Sequence, residues 1–188
     1  MADTSYSYDY YYCCDCPVTN PNYCCMEALR LTLQKLQDLG INIQITANGT
    51  ENAVPSSGAV STEVTNSLVI FDSTIIPLCG IEDVRFVEKD PDIVAQIISV
   101  LEETKKNIPK KCNNTCGEEL RQKIESGGNI RKITSTTHEN LINDSSKPII
   151  ATGLSIVLLA EGTTGITKYN FHLVDLCQIS VLQYILRP

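Results

Sequence analysis

A run of elements that occurs twice constrains the fold of this 188-residue chain more than any other feature. The segment CMEALR at residues 25–30 returns as CGEELR at 116–121, and each copy lies in a predicted helix. The tetrapeptide Leu-Cys-x-Ile then occurs at 78–81 and at 176–179, each time after the strands that follow the helix. Because similar segments in the same order indicate repeated structural units, we predict an internal duplication.

Each predicted half consists of one helix and a series of short strands. Residues 41–46 alternate apolar and polar side chains, which is the pattern of a half-buried strand. Further strand signals lie at 59–64, 67–71, 74–78 and 81–87 in the first half and at 129–134, 154–159 and 180–186 in the second. A helix followed by five short strands suits a small closed barrel. We therefore predict an α+β fold with two tandem small β-barrels, each preceded by a helix, and an extended N-terminal arm.

Proline positions help to divide the chain. Pro17 and Pro21 prevent a helix between the first cysteines, whereas Pro91 suits the first turn of a new helix. The predicted segments are a cysteine-rich connector arm at 1–23, a helix with the first β-barrel at 24–89, a helical linker at 90–115, and a helix with the second β-barrel at 116–188.

The order of a helix and five strands resembles the Sm-like and SH3-like small barrels. Sm-like barrels commonly join edge to edge into rings, so this resemblance implies assembly. RNA binding, the usual task of such rings, is not carried over, because the formal net charge of −7 argues against nucleic-acid and anionic-membrane partners.

The nine cysteines set a second constraint. Five of them fall close together, at Cys13, Cys14, Cys16, Cys24 and Cys25. High cysteine usage is typical of oxidising compartments, yet the first residues have neither a basic nor an apolar stretch of a signal peptide. Three explanations would reconcile these two observations. The thiols bind metal in a cytosol, or the protein leaves the cell by a route that needs no signal peptide, or it is made in a cell that later lyses. An odd number also requires at least one bond to another chain if all oxidise.

Two uses of these thiols compete. As metal ligands, Cys14 and Cys16 with the pair at 24–25, or Cys112 with Cys116, could supply part of a tetrahedral site, but the spacings differ from those of usual zinc knuckles. As crosslinks, Cys13 and Cys14 would reach two different partners, because successive side chains of an extended segment point apart.

Other cysteines and tyrosines extend the crosslinking hypothesis. Cys79 and Cys177, at equivalent corners of the two halves, are candidate acceptors for bonds from another subunit, unless they are buried apolar residues. Cys112 and Cys116 are further disulfide candidates. Tyrosine takes alternate positions in the arm, at Tyr6, Tyr8, Tyr10 and Tyr12. This alternation predicts docking of the arm by strand addition, with the rings as anchors on one face.

The sequence Tyr-Cys-Cys-Asp-Cys at residues 12–16 resembles the N-terminal connector of the endospore appendage pilins. That resemblance implies fibres on spores, disulfides from the connector to neighbouring subunits, and synthesis in the mother cell. The jellyroll core of those pilins is not carried over, because the body of this chain has predicted helices.

Enzyme signatures are weak. The chain has no glycine-rich phosphate loop, although folding could bring His172 near Cys177. We predict a structural protein without catalytic residues, cofactor or metal. It would self-assemble into a disulfide-crosslinked polymer outside the cell or on a spore surface. Its partners would be copies of itself and other spore-surface proteins, not nucleic acid or membrane. The alternatives are a cytosolic metal-binding adaptor and an oligomeric Sm-like module that binds RNA or a peptide.

Overall fold

The computed structural model describes residues 23–48, 50, 54, 58–72, 74–106, 116–125, 130–135, 141–142, 147–160 and 170–184, with side chains at all of these except 23–25, 116, 181, 183 and 184. This part of the chain is α+β. Its helices are α1 (Tyr23–Asp38), α2 (Pro91–Lys106) and α3 (Cys116–Glu125). Its strands are β1 (Ile43–Ala47), β2 (Glu63–Val64), β3 (Leu68–Phe71), β4 (Thr74–Pro77), β5 (Ile81–Phe86), β6 (Ile130–Ser135), β7 (Ile149–Gly153), β8 (Ile156–Ala160), β9 (Phe171–Asp175) and β10 (Ile179–Tyr184).

Local sequence signals mark the end of α1 and the start of α2. In α1, Leu29, Leu33 and Leu36 recur at helical spacing and are fully buried. The chain leaves α1 through Gly40, whose φ of 66° is readily adopted only by glycine. At the start of α2, the Asp90 carboxylate accepts a hydrogen bond from the backbone N–H of Asp92 at 2.9 Å, which caps the helix.

Three antiparallel sheets contain the strands. The largest has the order β1-β5-β9-β8-β7, and the smaller ones are β2-β3-β4 and β6-β10. The largest sheet therefore joins strands from both halves of the chain through one contact, between β5 and β9. We call this contact the seam.

The pairing pattern of the first half returns in the second. β1 pairs with β5 as β6 pairs with β10, and the meander β2-β3-β4 corresponds to β7-β8-β9. A 3-10 turn precedes the last strand of each half: the first corner is Leu78–Gly80 and the second corner is Leu176–Gln178. The backbone N–H of Leu78 donates to the Ser67 carbonyl at 2.9 Å, and that of Leu176 donates to the Ser155 carbonyl at 2.9 Å. These matching contacts support the predicted duplication.

The predicted closed barrels are not found in the described part of the chain, where every sheet is open. The α+β class is confirmed. The described strands of the first half do not close into a barrel because β5 pairs on its second edge with β9 of the other half. This pairing extends the sheet instead of curving it back on itself.

The two hydrophobic cores meet at the strands of the second half. In β8, Ile156 and Leu158 belong to the first core, whereas Val157 and Leu159 belong to the second. Successive side chains of a strand point to opposite faces, so β8 is buried on both sides. The first core therefore includes residues from both halves of the chain.

Helix α2, predicted as part of a linker, packs against α1 and β7. Ile97 and Leu101 are fully buried, and the backbone N–H of Leu154 donates to the Thr104 hydroxyl at 3.1 Å. A side chain at Gly153 would approach Leu101 to 2.9 Å, so α2 and β7 lie in close contact. This helix thus joins the two halves on one face of the sheet.

None of the helices that the structure describes has the length and apolar character needed to cross a membrane.

Candidate assembly seam and cysteine corners

The seam is an antiparallel pairing of four residues of β5 with four of β9. Asp83 lies opposite Val174, Val84 opposite Leu173, Arg85 opposite His172, and Phe86 opposite Phe171. It joins two strands that are not equivalent: β5 is the fifth strand of its half, whereas β9 is the fourth of the other. The two halves are therefore related head to tail, in the manner of a heterologous interface.

A charged cluster lies on one face of the seam. Asp83 is fully buried, its Oδ2 atom accepts a hydrogen bond from Arg85 Nε at 2.7 Å, and it lies 3.1 Å from His172 Nδ1. Burial raises the pKa of Asp83, but the charges and hydrogen bonds of His172 and Arg85 outweigh burial and lower that pKa overall. A buried carboxylate with two nitrogen partners is a contact that only the assembled seam provides.

The opposite face of the seam is apolar. Val84, Phe86 and Leu173 are fully buried in the first core. The Phe86 and Phe171 rings are stacked with their centroids 5.2 Å apart. This apolar face shields the paired strands from water, and the burial of its side chains stabilises the contact between the two halves.

Further hydrogen bonds join the halves beside the seam. Gln178 Nε2 of the second corner donates to the carbonyl oxygen of Cys79 in the first corner at 2.6 Å. Ser135 Oγ of β6 donates to Glu82 Oε2 of β5 at 2.8 Å, and both side chains are buried. The two corners are therefore neighbours.

The cysteine of each corner is disulfide-bonded within this single chain. Cys177 is buried and Cys79 is half-buried. The sequence predicted these two sulfurs as acceptors for bonds from another subunit, and because the structure holds one chain, that role stays a prediction. Each corner packs against the helix at the start of its own half, α1 for the first and α3 for the second. A disulfide-bonded Cys177 is also not a thiol that His172 could activate.

A buried aspartate supports the second corner. The Asp175 carboxylate accepts a hydrogen bond from the backbone N–H of Cys177 at 2.8 Å. Burial raises the pKa of Asp175 to about 7, and the hydrogen bond from Cys177 only partly offsets this increase. The equivalent residue of the first corner is Pro77, which has no carboxylate, so the second corner alone carries this titratable group.

Most of the other predicted site residues lie outside the described part of the chain. They are the arm cysteines Cys13, Cys14 and Cys16, the arm tyrosines Tyr6, Tyr8, Tyr10 and Tyr12, and Cys112. Cys24 and Cys25 lie in the first turn of α1 and Cys116 begins α3, with their side chains outside the described atoms. The hypothesis that the arm docks on and crosslinks to neighbouring subunits stays a prediction.

Within the described residues, no three His, Cys, Asp or Glu side chains form a group that could hold a metal ion. The predicted ligands of the alternative metal-binding protein were Cys14 and Cys16 with the pair at 24–25, or Cys112 with Cys116, and all of these sulfurs lie outside the described atoms. That alternative stays open.

The sequence reasoning missed the charged cluster of the seam. A signal for it existed, because Asp83 and Arg85 occupy alternate positions in β5 and so share one face. Their partner His172 could not be found in the same way, since it lies 89 residues further along the chain than Asp83.

Comparisons of this chain with protein-family models, with curated proteins and with solved structures give no match. The resemblances to Sm-like barrels and to the endospore appendage pilins therefore rest on the sequence features alone.

Proposed function

We propose that this protein is a structural subunit that assembles with copies of itself into a disulfide-crosslinked polymer, outside the cell or on a spore surface. The observation that carries the proposal is the seam. At the seam, the fifth strand of the first half pairs head to tail with the fourth strand of the second half. A head-to-tail contact that is repeated between chains builds rings or filaments.

We further propose that each half derives from one unit of a helix and five strands, of the Sm-like type. The matching strand pairings support this proposal, and so do the helices. Arg30 makes two hydrogen bonds to Glu27, and Arg121 makes two to Glu118, at the same positions of the repeated segment.

The cysteines divide into two groups in this proposal. A side chain added at Gly117 would lie 2.7 Å from Cys177 Sγ, so this sulfur lies beside the start of α3, where Cys116 precedes Gly117. We propose Cys116 as its partner, because two cysteines whose backbones lie close together can be bridged without backbone movement. By the repeat, Cys25 is the partner of Cys79. These two bonds hold each corner to its helix.

The remaining cysteines are then available for other chains. They are Cys13, Cys14, Cys16, Cys24 and Cys112, an odd number, so they cannot all pair within one chain. Arm sulfurs bonded to neighbouring subunits would resist dissociation kinetically, which is the property that a surface polymer needs.

The experiment is non-reducing electrophoresis of oxidised full-length protein. We expect a ladder of multimers that thiol reductant abolishes, and no ladder from the variant with Cys13, Cys14 and Cys16 all replaced by serine. The Cys112→Ser variant is the matched control and should retain a ladder. Peptide mapping should find arm sulfurs bonded between chains. Bridges that all close within single chains would refute the proposal, and a ladder from the triple variant would refute the role of the arm sulfurs in it.

A second candidate, the metal-binding adaptor, is favoured only by the clustering of the arm cysteines. Zinc measurement on protein purified under reducing conditions separates the two. Stoichiometric zinc in a protein that stays monomeric on oxidation would favour the adaptor.

A further inference from the structure

Among the described strands that pair with only one other strand are the two repeat equivalents of the seam strands. Among the described strands, β4 pairs with β3 alone and β10 pairs with β6 alone. In the repeat, β4 corresponds to β9 and β10 corresponds to β5, which are the two strands of the seam. The free edges of β4 and β10 are therefore the same two kinds of edge that the seam brings together.

We propose that β10 of one copy pairs antiparallel with β4 of the next copy, in the register of the seam. This inference rests on the proposed function and names the surfaces through which the subunits assemble. When the sequences of the two corners are aligned, β5 corresponds to β10, and β9 corresponds to residues 73–77. Val181 then lies opposite Ile76, Leu182 opposite Ile75, and Gln183 opposite Thr74.

The exposure of β4 supports this occupant. Ile75 is 63% exposed, whereas its counterpart Leu173 is fully buried in the seam. Leu173 shares the first core with Val84 of β5. In the proposed contact Ile75 takes the place of Leu173, and Leu182, a member of the second core, takes that of Val84. The neighbouring copy would thus remove a large apolar side chain from water.

The backbone of β4 can accept a new strand. Leu78 donates to the Ser67 carbonyl, so Leu68 and Pro77 form the next, non-hydrogen-bonded pair of the β3-β4 ladder. The backbone nitrogen of Pro77 therefore points to the outer edge of β4, so its missing N–H leaves the pairing with β3 intact. The corresponding residue of the second half, Asp175, makes no seam pair. Ile75 is in the same kind of pair, so its N–H and carbonyl point to the free edge.

The first test uses the variant with serine at Cys13, Cys14 and Cys16, kept under oxidising conditions. This background lacks arm disulfides but keeps those of the corners. We expect concentration-dependent oligomers in sedimentation velocity. Adding Ile75→Lys should weaken association by roughly tenfold or more, because a charge on an edge strand opposes pairing. Ile150→Lys is the matched control: Ile150 is 38% exposed on β7, outside the proposed contact. It should leave association unchanged.

A second test checks the register. Glutamates at both Thr74 and Gln183 would face each other between copies and should weaken association, whereas Thr74→Lys with Gln183→Glu should restore it. Circular dichroism of each variant confirms folding.

The outcomes separate this inference from the proposed function. A ladder from the unmodified protein, together with equal association of the Ile75→Lys and Ile150→Lys variants, overturns the strand contact and leaves the crosslinked polymer standing. No ladder from the unmodified protein, together with oligomers that Ile75→Lys disrupts, refutes the crosslinking and supports the contact. A folded triple-serine variant that stays monomeric at all concentrations also overturns the strand contact.

Discussion

The seam and the two outer edges are the same repeat positions in different surroundings. At the seam, Asp83, Arg85 and His172 form a buried charged cluster on one face. The equivalent outer positions hold Val181, Gln183 and Thr74, none of which is charged. Buried charges are stable only while all their partners are present, so the seam cannot open without a large loss of stability. Neutral edges can be exposed to water and paired in turn, which suits a contact between separate chains.

The largest expected effect comes from breaking the charged cluster. Asp83→Ala leaves His172 and Arg85 without their buried carboxylate, and we expect it to reduce the free energy of unfolding by about 3–5 kcal/mol. Urea denaturation at neutral pH measures this loss. The control Asp72→Ala removes an exposed carboxylate and should change stability by less than about 0.5 kcal/mol. Equal effects of the two variants would show that the cluster does not hold the seam.

The next effect distinguishes bonds within the chain from bonds between chains. Cys177→Ser removes a corner disulfide and should lower the free energy of unfolding by about 2–4 kcal/mol. Cys13→Ser, in the arm, should leave it unchanged and shorten the multimer ladder instead. Monomer fractions from size exclusion, followed by urea denaturation, give both readouts. A Cys177→Ser variant as stable as the unmodified protein would contradict the division into two groups.

Asp175 makes the second corner sensitive to pH, whereas the equivalent position of the first corner holds Pro77, which does not titrate. Its pKa is about 7 in the folded state against an ordinary value of 3.8, so between these values the folded state holds a proton that the unfolded state has released. Stability must therefore fall as the pH rises through this window, by roughly 2–3 kcal/mol between about pH 5 and about pH 8.

The Asp175→Asn variant should lose this component and keep the hydrogen bond from Cys177. Urea denaturation across the window, with Asp72→Asn as the exposed control, measures the difference in slope. Asp83 acts in the opposite sense, because its lowered pKa gives stability that is lost at acid pH. Parallel pH profiles for the Asp175→Asn variant and the unmodified protein would show that this carboxyl is not protonated in the fold.

The smallest effect on stability is expected at the outer edge. Ile75→Ala should change the free energy of unfolding of the monomer by less than about 0.5 kcal/mol, because this side chain is exposed. The same truncation at Leu173 should cost about 2–5 kcal/mol. Chemical denaturation in the triple-serine background compares the two. Similar losses would mean that the seam and the outer edge do not differ in burial as described.

Local elements could be predicted because their signals are local. The leucines of α1, the proline at the start of α2 and the glycine after α1 fix helix limits by periodicity and backbone preference. The two Leu-Cys-x-Ile tetrapeptides correctly indicated the corners. No closed barrel is found among the described strands, because which edge a strand pairs with depends on distant residues that no short pattern specifies.

The sequence by itself determined the repeat, the helices and most strands, since periodicity, capping and turn residues act between neighbours. The tertiary structure alone decided that β5 pairs with β9, that the two corner sulfurs are bonded within the chain, and that Ile75 is exposed while Leu173 is buried. The physical reason is that burial and strand pairing are properties of a position among distant segments. Equivalent residues of one repeated unit therefore face the core in one half and water in the other.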